Sequence, residues 1–397
     1  MKDDFFDELD LASKAKQLFT AYYFKLYLNI ISSAIIKFNL NKRLVYLDFF
    51  AGAGKDREGN ELTPLKVIDA ISSNPAIADK CFLYFNDLEN ATLLKQNVDA
   101  KMKQIGKNIQ YKVDSINSKS IDVSTMFKKD DIVLSFVDSF GYVMSDVSTI
   151  SKLISNNFSD SIVFINLDYF RRFITVQKER PSYIKFFGGE DNLERFIDMF
   201  TNCENKDYVC EELVMDYVRR LTLHIGQKMY CLPIFFRISN ENTSYSHVII
   251  VISKSFTGIK QIRESFVEVD ENVDSKGKRN ENFYFFEGKI VVCENKKRGE
   301  ITVFGDENKK YYNILGYLPK NKNDAITSMQ LLEIIDKQYM ELNYYCSGYS
   351  MAFLRRALSF LESEKKIEIV YFGKRKRVEY TYGENTRVYA RREDENN

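Results

Sequence analysis

Five apolar runs of strand length, Leu44–Asp48, Cys81–Phe85, Ile109–Val113, Ile132–Asp138 and Ser161–Leu167, follow one another along the chain, each separated from the next by a longer polar or helical stretch. Parallel strands need a crossover of a dozen residues or more, so this alternation predicts βα units and a mainly parallel sheet. Two further runs, Met229–Ile238 and Ser246–Ser253, lie seven residues apart, too close for a crossover helix. They predict an antiparallel hairpin.

Five parallel strands completed by an antiparallel pair is the arrangement of an α/β, class I methyltransferase-like (Rossmann-like) sheet. Ahead of it, Leu18, Tyr22, Lys25, Leu26, Ile30 and Ala34 recur near helical spacing, predicting an N-terminal helical segment over 1–40 and a methyltransferase-like domain over 41–268. A helix over Gly258–Phe266 precedes a polar loop or insert, Asp270–Asn282, and short strands Phe283–Phe286 and Lys289–Cys293, so 269–322 reads as a connecting insert. Beyond it Thr327 and Gln330 have capping-box spacing, and a later helix carries Met351, Leu354, Leu358 and Leu361 on one face. The strand Ile367–Phe372, a turn at Gly373 and a return over Arg377–Tyr382 complete a C-terminal winged helix-turn-helix over 323–393.

Length and composition bound the function. The chain has 397 residues, 45% apolar and 28% charged, which suits more than one globular domain. Its formal charge is +1, so any nucleic-acid binding must come from a local patch. No run of about 18 apolar residues occurs, and Met1-Lys2-Asp3-Asp4 does not open a signal peptide. A cytoplasmic protein with no membrane contact is expected. Six scattered cysteines read as buried thiols, and with two histidines no metal site is expected.

The first strand runs into Asp48-Phe49-Phe50-Ala51-Gly52-Ala53-Gly54-Lys55. A buried strand feeding a glycine turn lets backbone N–H groups approach a ligand, although such turns also serve packing. A dinucleotide fingerprint would place a third glycine at Arg57 and an acid about 20 residues on. Neither is present. Asp87, at the end of the second strand, instead fits the ribose acceptor of S-adenosylmethionine (SAM), with Glu89 as a rival and an ordinary turn as the bland alternative. Asp114 after the third strand suits the adenine amino group, or else a simple turn. Asp138-Ser139-Phe140-Gly141 ends the fourth strand and Asn166-Leu167-Asp168 the fifth. Polar groups at five strand ends would converge where open α/β sheets bind ligands. The cofactor-site candidates are therefore Asp48, Phe50, Gly52, Gly54, Asp87 and Asp114, and the catalytic candidates are Asp138, Ser139 and Phe140.

Residues from about Lys14 to Phe266 resemble the three-Cys-motif partner protein family, SAM-dependent methyltransferase-like proteins of bacteria and their mobile elements. The resemblance is carried by Tyr46–Gly54, Thr63-Pro64-Leu65, Asp114 with Asn117, Asp138–Gly141, Arg171 and Arg172, Phe187-Gly188 and Tyr245–Gly258. It implies a SAM-binding fold, a C-terminal winged-helix module, and a partner protein of the same operon. Two positions depart from the family. Ala53 stands where proline is usual, which keeps the turn but lowers its rigidity. Ser139 likewise replaces the proline after strand four. In amino-methyltransferases that loop presents oxygens that accept N–H bonds from the acceptor amine. A serine there loosens the loop, so catalysis is less secured than cofactor binding.

Lys374-Arg375-Lys376-Arg377 falls at the hairpin tip, with Arg355 and Arg356 on the preceding helix. Such a wing can grip phosphates, giving affinity with little sequence information. The alternative is a protein-docking face. Two functions follow: a methyltransferase-like protein acting on or with nucleic acid in a bacterial defence or mobile-element system, or a non-catalytic SAM- or nucleotide-binding sensor that docks a partner.

Overall fold

A computed structural model describes residues 11–38, 40–138, 142, 144–238, 245–270, 283–286, 288–294, 311–373 and 377–391. Nine strands form one sheet in the order β3-β2-β1-β4-β5-β7-β6-β9-β8. They are β1 (Leu44–Asp48), β2 (Cys81–Asn86), β3 (Gln110–Asp114), β4 (Ile132–Val137), β5 (Asp160–Asn166), β6 (Tyr230–Ile238), β7 (Tyr245–Ser253), β8 (Phe283–Phe286) and β9 (Lys289–Glu294). The first five are mutually parallel, and β7 runs antiparallel to both β5 and β6. The chain leaves β1 toward β2 and β3, then returns to β4 on the other side of β1. That reversal creates a topological switch point at the carboxyl ends of β1 and β4.

The strands read as continuous apolar runs because helices cover both faces. Leu44 and Tyr46 of β1 enter one core with α1 (Leu11–Lys37), α2 (Thr63–Ser72), α4 (Ala91–Ile105) and α10 (Phe256–Asp270). Val45 and Leu47 enter the other, with α5 (Val147–Leu153), α6 (Leu167–Phe173), α7 (Arg180–Phe187), α8 (Glu190–Asn202) and α9 (Lys206–Ile225). A short α3 (Pro75–Ala78) precedes β2.

The expected face of α1 is corrected. Tyr23, Phe24, Tyr27, Leu28, Ile31 and Ile35 are buried, whereas Lys25 and Ile30 face outward. The helix is apolar nearly all round, so periodicity alone does not choose its face. The side chains of Leu18 and Tyr22 lie outside the described residues, as does the expected insert from 271 to 282.

The strands expected in the connecting insert extend the main sheet, β9 pairing in parallel with β6 and β8 antiparallel with β9. Against that edge sit α11 (Ser328–Asn343), α12 (Met351–Ser363) and a separate antiparallel pair, β10 (Ile367–Tyr371) with β11 (Thr386–Ala390), around their own core. The capping box at Thr327 and Gln330 forms as expected. The expected return strand Arg377–Tyr382 does not pair: Thr386–Ala390 takes its place, and Val378 and Tyr380 stand exposed in the intervening loop. Their alternation imitates a strand without pairing with β10. This unit is tied to the sheet by Cys346 N–H donating to Cys231 O at 2.7 Å and by Arg263 of α10, fully buried, paired with Asp336 of α11 at 2.7 Å.

Candidate functional site

The turn after β1 is held from three directions. Ala51 N–H donates to Asn86 O at 3.0 Å, Gly52 N–H to the Asp87 carboxylate at 2.9 Å, and Asn97 of α4 donates its side-chain amide to Ala53 O at 2.8 Å. Gly52 has φ +67°, and a Cβ added there would meet nothing within 4 Å, so its missing side chain leaves an open cradle. Gly54 has φ +79° and serves packing: a Cβ there would lie 3.3 Å from Leu94 Cδ1.

Asp87 does more than point at a ligand. Its Oδ2 accepts from Gly52, while Oδ1 accepts the backbone N–H groups of Glu89 and Asn90 and the Asn90 side chain. The carboxylate therefore fixes the loop after β2 and the glycine turn together. Glu89 is exposed and enters only through its backbone.

Asn86 is the residue that sequence reasoning missed. It is buried at the end of β2, donates to Phe49 O at 3.2 Å and Ile116 O at 3.0 Å, and accepts from Ile116 N–H at 2.9 Å. One side chain at the end of β2 thus joins the loops after β1 and β3. An asparagine at a strand end reads as a turn former, so only the fold reveals this role. Leu88 and Ile116, on the loops beside Asp87 and Asn86, are apolar yet 58% and 39% exposed.

The remaining candidates are placed as follows. Asp48 is buried, accepts from Phe50 N–H at 3.2 Å, and with burial drives the Tyr46 phenol well above its ordinary pKa, burial contributing most. Phe50 is half-buried beside it. Asp114 pairs with Lys112 at 2.6 Å and its backbone oxygen accepts from Asp87 N–H at 3.2 Å. Asp138 is half-buried just past β4, and Ser139, Phe140 and Gly141 lie outside the described residues. Beyond them Tyr142 and Met144 have φ +64° and +72°, a conformation that side-chain-bearing residues adopt only where their surroundings impose it. Tyr142 lies parallel to Phe170 with ring centres 3.8 Å apart and donates its hydroxyl to Asn166 O. Asn166 caps α6, and Asp168 pairs with Arg171, whose guanidinium also donates to Tyr245 O at 2.8 Å.

The basic candidates are not equivalent. Arg355 is exposed on α12 and Arg356 half-buried; Lys374, Arg375 and Lys376 lie outside the described residues. Arg377 is engaged within the protein. Its guanidinium forms a two-pronged pair with Glu362 at 2.6 and 2.8 Å and faces the Tyr382 ring. Arg377, then burial in opposition, sets the Glu362 carboxyl below its ordinary pKa.

Among the described residues no group of three His, Cys, Asp or Glu could hold a metal ion, and no helix is long and apolar enough to cross a membrane. No family model and no curated protein matches the chain. Solved structures similar to it include protein LPL1258 from Legionella pneumophila str. Philadelphia 1, of family model DUF519, with TM-score 0.36 and 12% identity over 64% of this chain and 91% of that one. DszA carbon methyltransferase gives TM-score 0.30 and 11% identity over 57% and 51%, and the methyltransferase domain of bacterial-CtHen1-CN gives 0.28 and 12% over 57% and 96%. Superpositions this loose carry no argument about activity.

Proposed function

We propose that this chain binds SAM across the carboxyl ends of β1, β2 and β3 and is a methyltransferase-like protein acting on nucleic acid. The observation that carries the reading is the open cradle at Gly52, latched by Asp87 and flanked by the exposed apolar side chains Leu88 and Ile116. A backbone approach, an acid and two apolar walls suit a ligand with a charged amino-acid end, a ribose and a flat base. The donor set fits that group, with Asp87 Oδ2 retaining one lone pair for a ribose hydroxyl. Bound SAM would supply an electrophilic methyl group. The chain's own part is to orient: Gly52 and Ala53 expose the turn, Asn86 ties the loops after β1 and β3, and Asp138 accepts an N–H from an acceptor amine at the end of β4.

The resemblance to three-Cys-motif partner proteins supports this reading, and a place in a bacterial defence or mobile-element system rests on that resemblance alone. The two helices and β10–β11 pair of the C-terminal unit suit a winged helix. A second reading, a SAM- or nucleotide-binding sensor that docks a partner of the same operon, is favoured by one observation. Asp87 already accepts four hydrogen bonds, which suits a structural ligand site as well as a catalytic one. Calorimetry with SAM and its demethylated product tests the shared premise: saturable binding is expected, and none at millimolar ligand removes both readings. Label transfer from SAM to DNA or RNA then separates them.

A further inference from the structure

We propose that a groove running from the loop after β4 along α5 to the C-terminal half of α9 is the path of a single-stranded nucleic acid, with one nucleotide seated beneath Tyr142 and Met144. This deepens the reading above by naming where the acceptor strand lies. At the end of β4 a cavity of about 400 Å³ has apolar walls from Ile121, Val123, Tyr142 and Met144, hydroxyls from Ser118, Thr149 and Ser182, and Lys152 and Lys185 among its lining residues. That volume and mixture suit one nucleotide. A second cavity of about 300 Å³ shares Lys185 and continues past Gly188 to Arg220 and His224. A mononucleotide fills one cavity; a strand is what occupies two joined at a lysine.

Lys152, Lys185 and Arg220 line the two cavities against Asp122 and Asp146, so cations outnumber acids along the path. Asp122 accepts the Ser124 N–H and hydroxyl. Asp146 caps α5, accepting from Thr149 N–H and hydroxyl, and pairs with Lys185 at 3.0 Å. Asp216, 4% exposed, accepts from Arg219 at 2.9 Å, Arg220 at 2.7 Å and Asn192 at 2.9 Å, with Arg195 at 3.4 Å. One carboxylate thus orients three guanidiniums and can neutralise only one. Arg195 and Arg219 share that carboxylate with Arg220 but line neither cavity; Arg220 is the guanidinium on the path. Guanidiniums held in place lose less freedom on gripping a phosphate. Gly188 matters here, since a Cβ on it would press to 3.2 Å from Arg220 Nη1. Concave cavities of this size accept splayed bases, which single strands offer and a duplex does not.

The test is fluorescence anisotropy of a labelled single-stranded oligonucleotide, DNA and RNA in turn, across a salt series, with the full chain. Lys152→Gln, Lys185→Gln and Arg220→Gln combined should flatten the slope of log affinity against log salt by up to about 2.1, at about 0.7 per single-strand phosphate contact. Lys95→Gln with Lys103→Gln, on α4, should leave it unchanged. Circular dichroism and melting of the triple variant serve as the fold check, and single substitutions replace it if it fails to fold. An unchanged slope, no binding by the wild type at low salt, or binding of adenosine monophosphate as tight as the oligonucleotide overturns the proposal. A chain that binds SAM without oligonucleotide overturns the groove and leaves the cofactor reading standing; loss of SAM binding alone does the reverse.

Discussion

The Asp87 carboxylate accepts the Gly52 backbone N–H at 2.9 Å, so the end of β2 sets the shape of the turn that follows β1. A residue that sequence logic assigns to the ligand is thereby also a brace for the glycine beside it. Removing it acts on stability and affinity together.

Asp87→Ala should lower unfolding free energy by about 1–3 kcal/mol, because the half-buried Gly52 N–H and two exposed loop N–H groups lose their acceptor. SAM affinity should fall roughly tenfold to over a hundredfold. Gly52→Val separates the two effects. Its side chain enters open space in the cradle at a φ that favours glycine, so binding should vanish while stability drops by only about 1–2 kcal/mol. Urea unfolding beside calorimetry reads both, and a Gly52→Val chain that binds SAM as the wild type does would show that the cradle is not the site.

How far such relationships are legible in the sequence depends on what the residue faces. The parallel strands stand out because burial on both faces makes each a solid apolar run, as in Val133–Val137, and the β6–β7 hairpin follows from its short gap. The face of α1 is not legible, since Ile30 and Ile31 are alike in chemistry and only the sheet distinguishes them. Arg377–Tyr382 alternates like a strand, yet β10 pairs with Thr386–Ala390, because Arg377 and Tyr382 are drawn to Glu362 instead. Asn86 gives no signal at all. Its partners are backbone groups on loops distant in sequence, and turn formers look alike until the loops are assembled.

Asp160 sits fully buried at the start of β5, where the Tyr23 hydroxyl donates to it at 2.6 Å and couples α1 to the sheet. Burial raises its pKa to about 6, against the opposing bonds from Tyr23 and Ser253. A carboxyl raised above its unfolded value binds more protons when folded. Its contribution is fully present below about pH 4 and is lost as pH rises through 6, reaching roughly 3 kcal/mol at neutrality. Asp160→Asn keeps an acceptor for Tyr23 without a charge. The variant should gain stability relative to the wild type as pH climbs from 4 to 7, a difference that leaves out the paired carboxylates common to both chains. Denaturant melts across that range decide it, and a pH-independent difference would mean Asp160 is not the group responsible.

Arg263 and Asp336 tie α10 to α11 in a fully buried pair. Asp336 also accepts the Ser347 N–H and hydroxyl, so one carboxylate organises the start of the C-terminal unit. Removing one partner leaves a buried charge unmatched, at about 3–5 kcal/mol. Asp336→Ala should therefore expose the junction before 328 to limited proteolysis while the main sheet holds, whereas replacing both with Arg263→Met and Asp336→Leu should recover much of the loss. Equal proteolysis patterns for wild type and Asp336→Ala would rule out the pair as the tether.

The last prediction concerns the basic stretch before Arg377. If Lys374, Arg375 and Lys376 contact duplex phosphates, neutralising the three should flatten the salt dependence of binding by up to about 2.7, at about 0.9 per contact. Arg377→Gln should behave differently. Its guanidinium is bonded to Glu362 on both prongs, and the Tyr382 hydroxyl donates to the same carboxylate. Losing it should lower stability by about 1.5–3 kcal/mol, the range of a charged hydrogen bond, and leave the salt slope as it was. Glu362 then lacks the cation that holds its carboxyl low, so the stability it contributes near neutrality, normally lost as pH falls through its lowered pKa, is lost at a higher pH in the variant. Salt titrations and pH-dependent melts of the two variants separate the roles. A flattened slope for Arg377→Gln would show that the internal pair opens on binding, and a stable variant would show that the pair does not brace the loop.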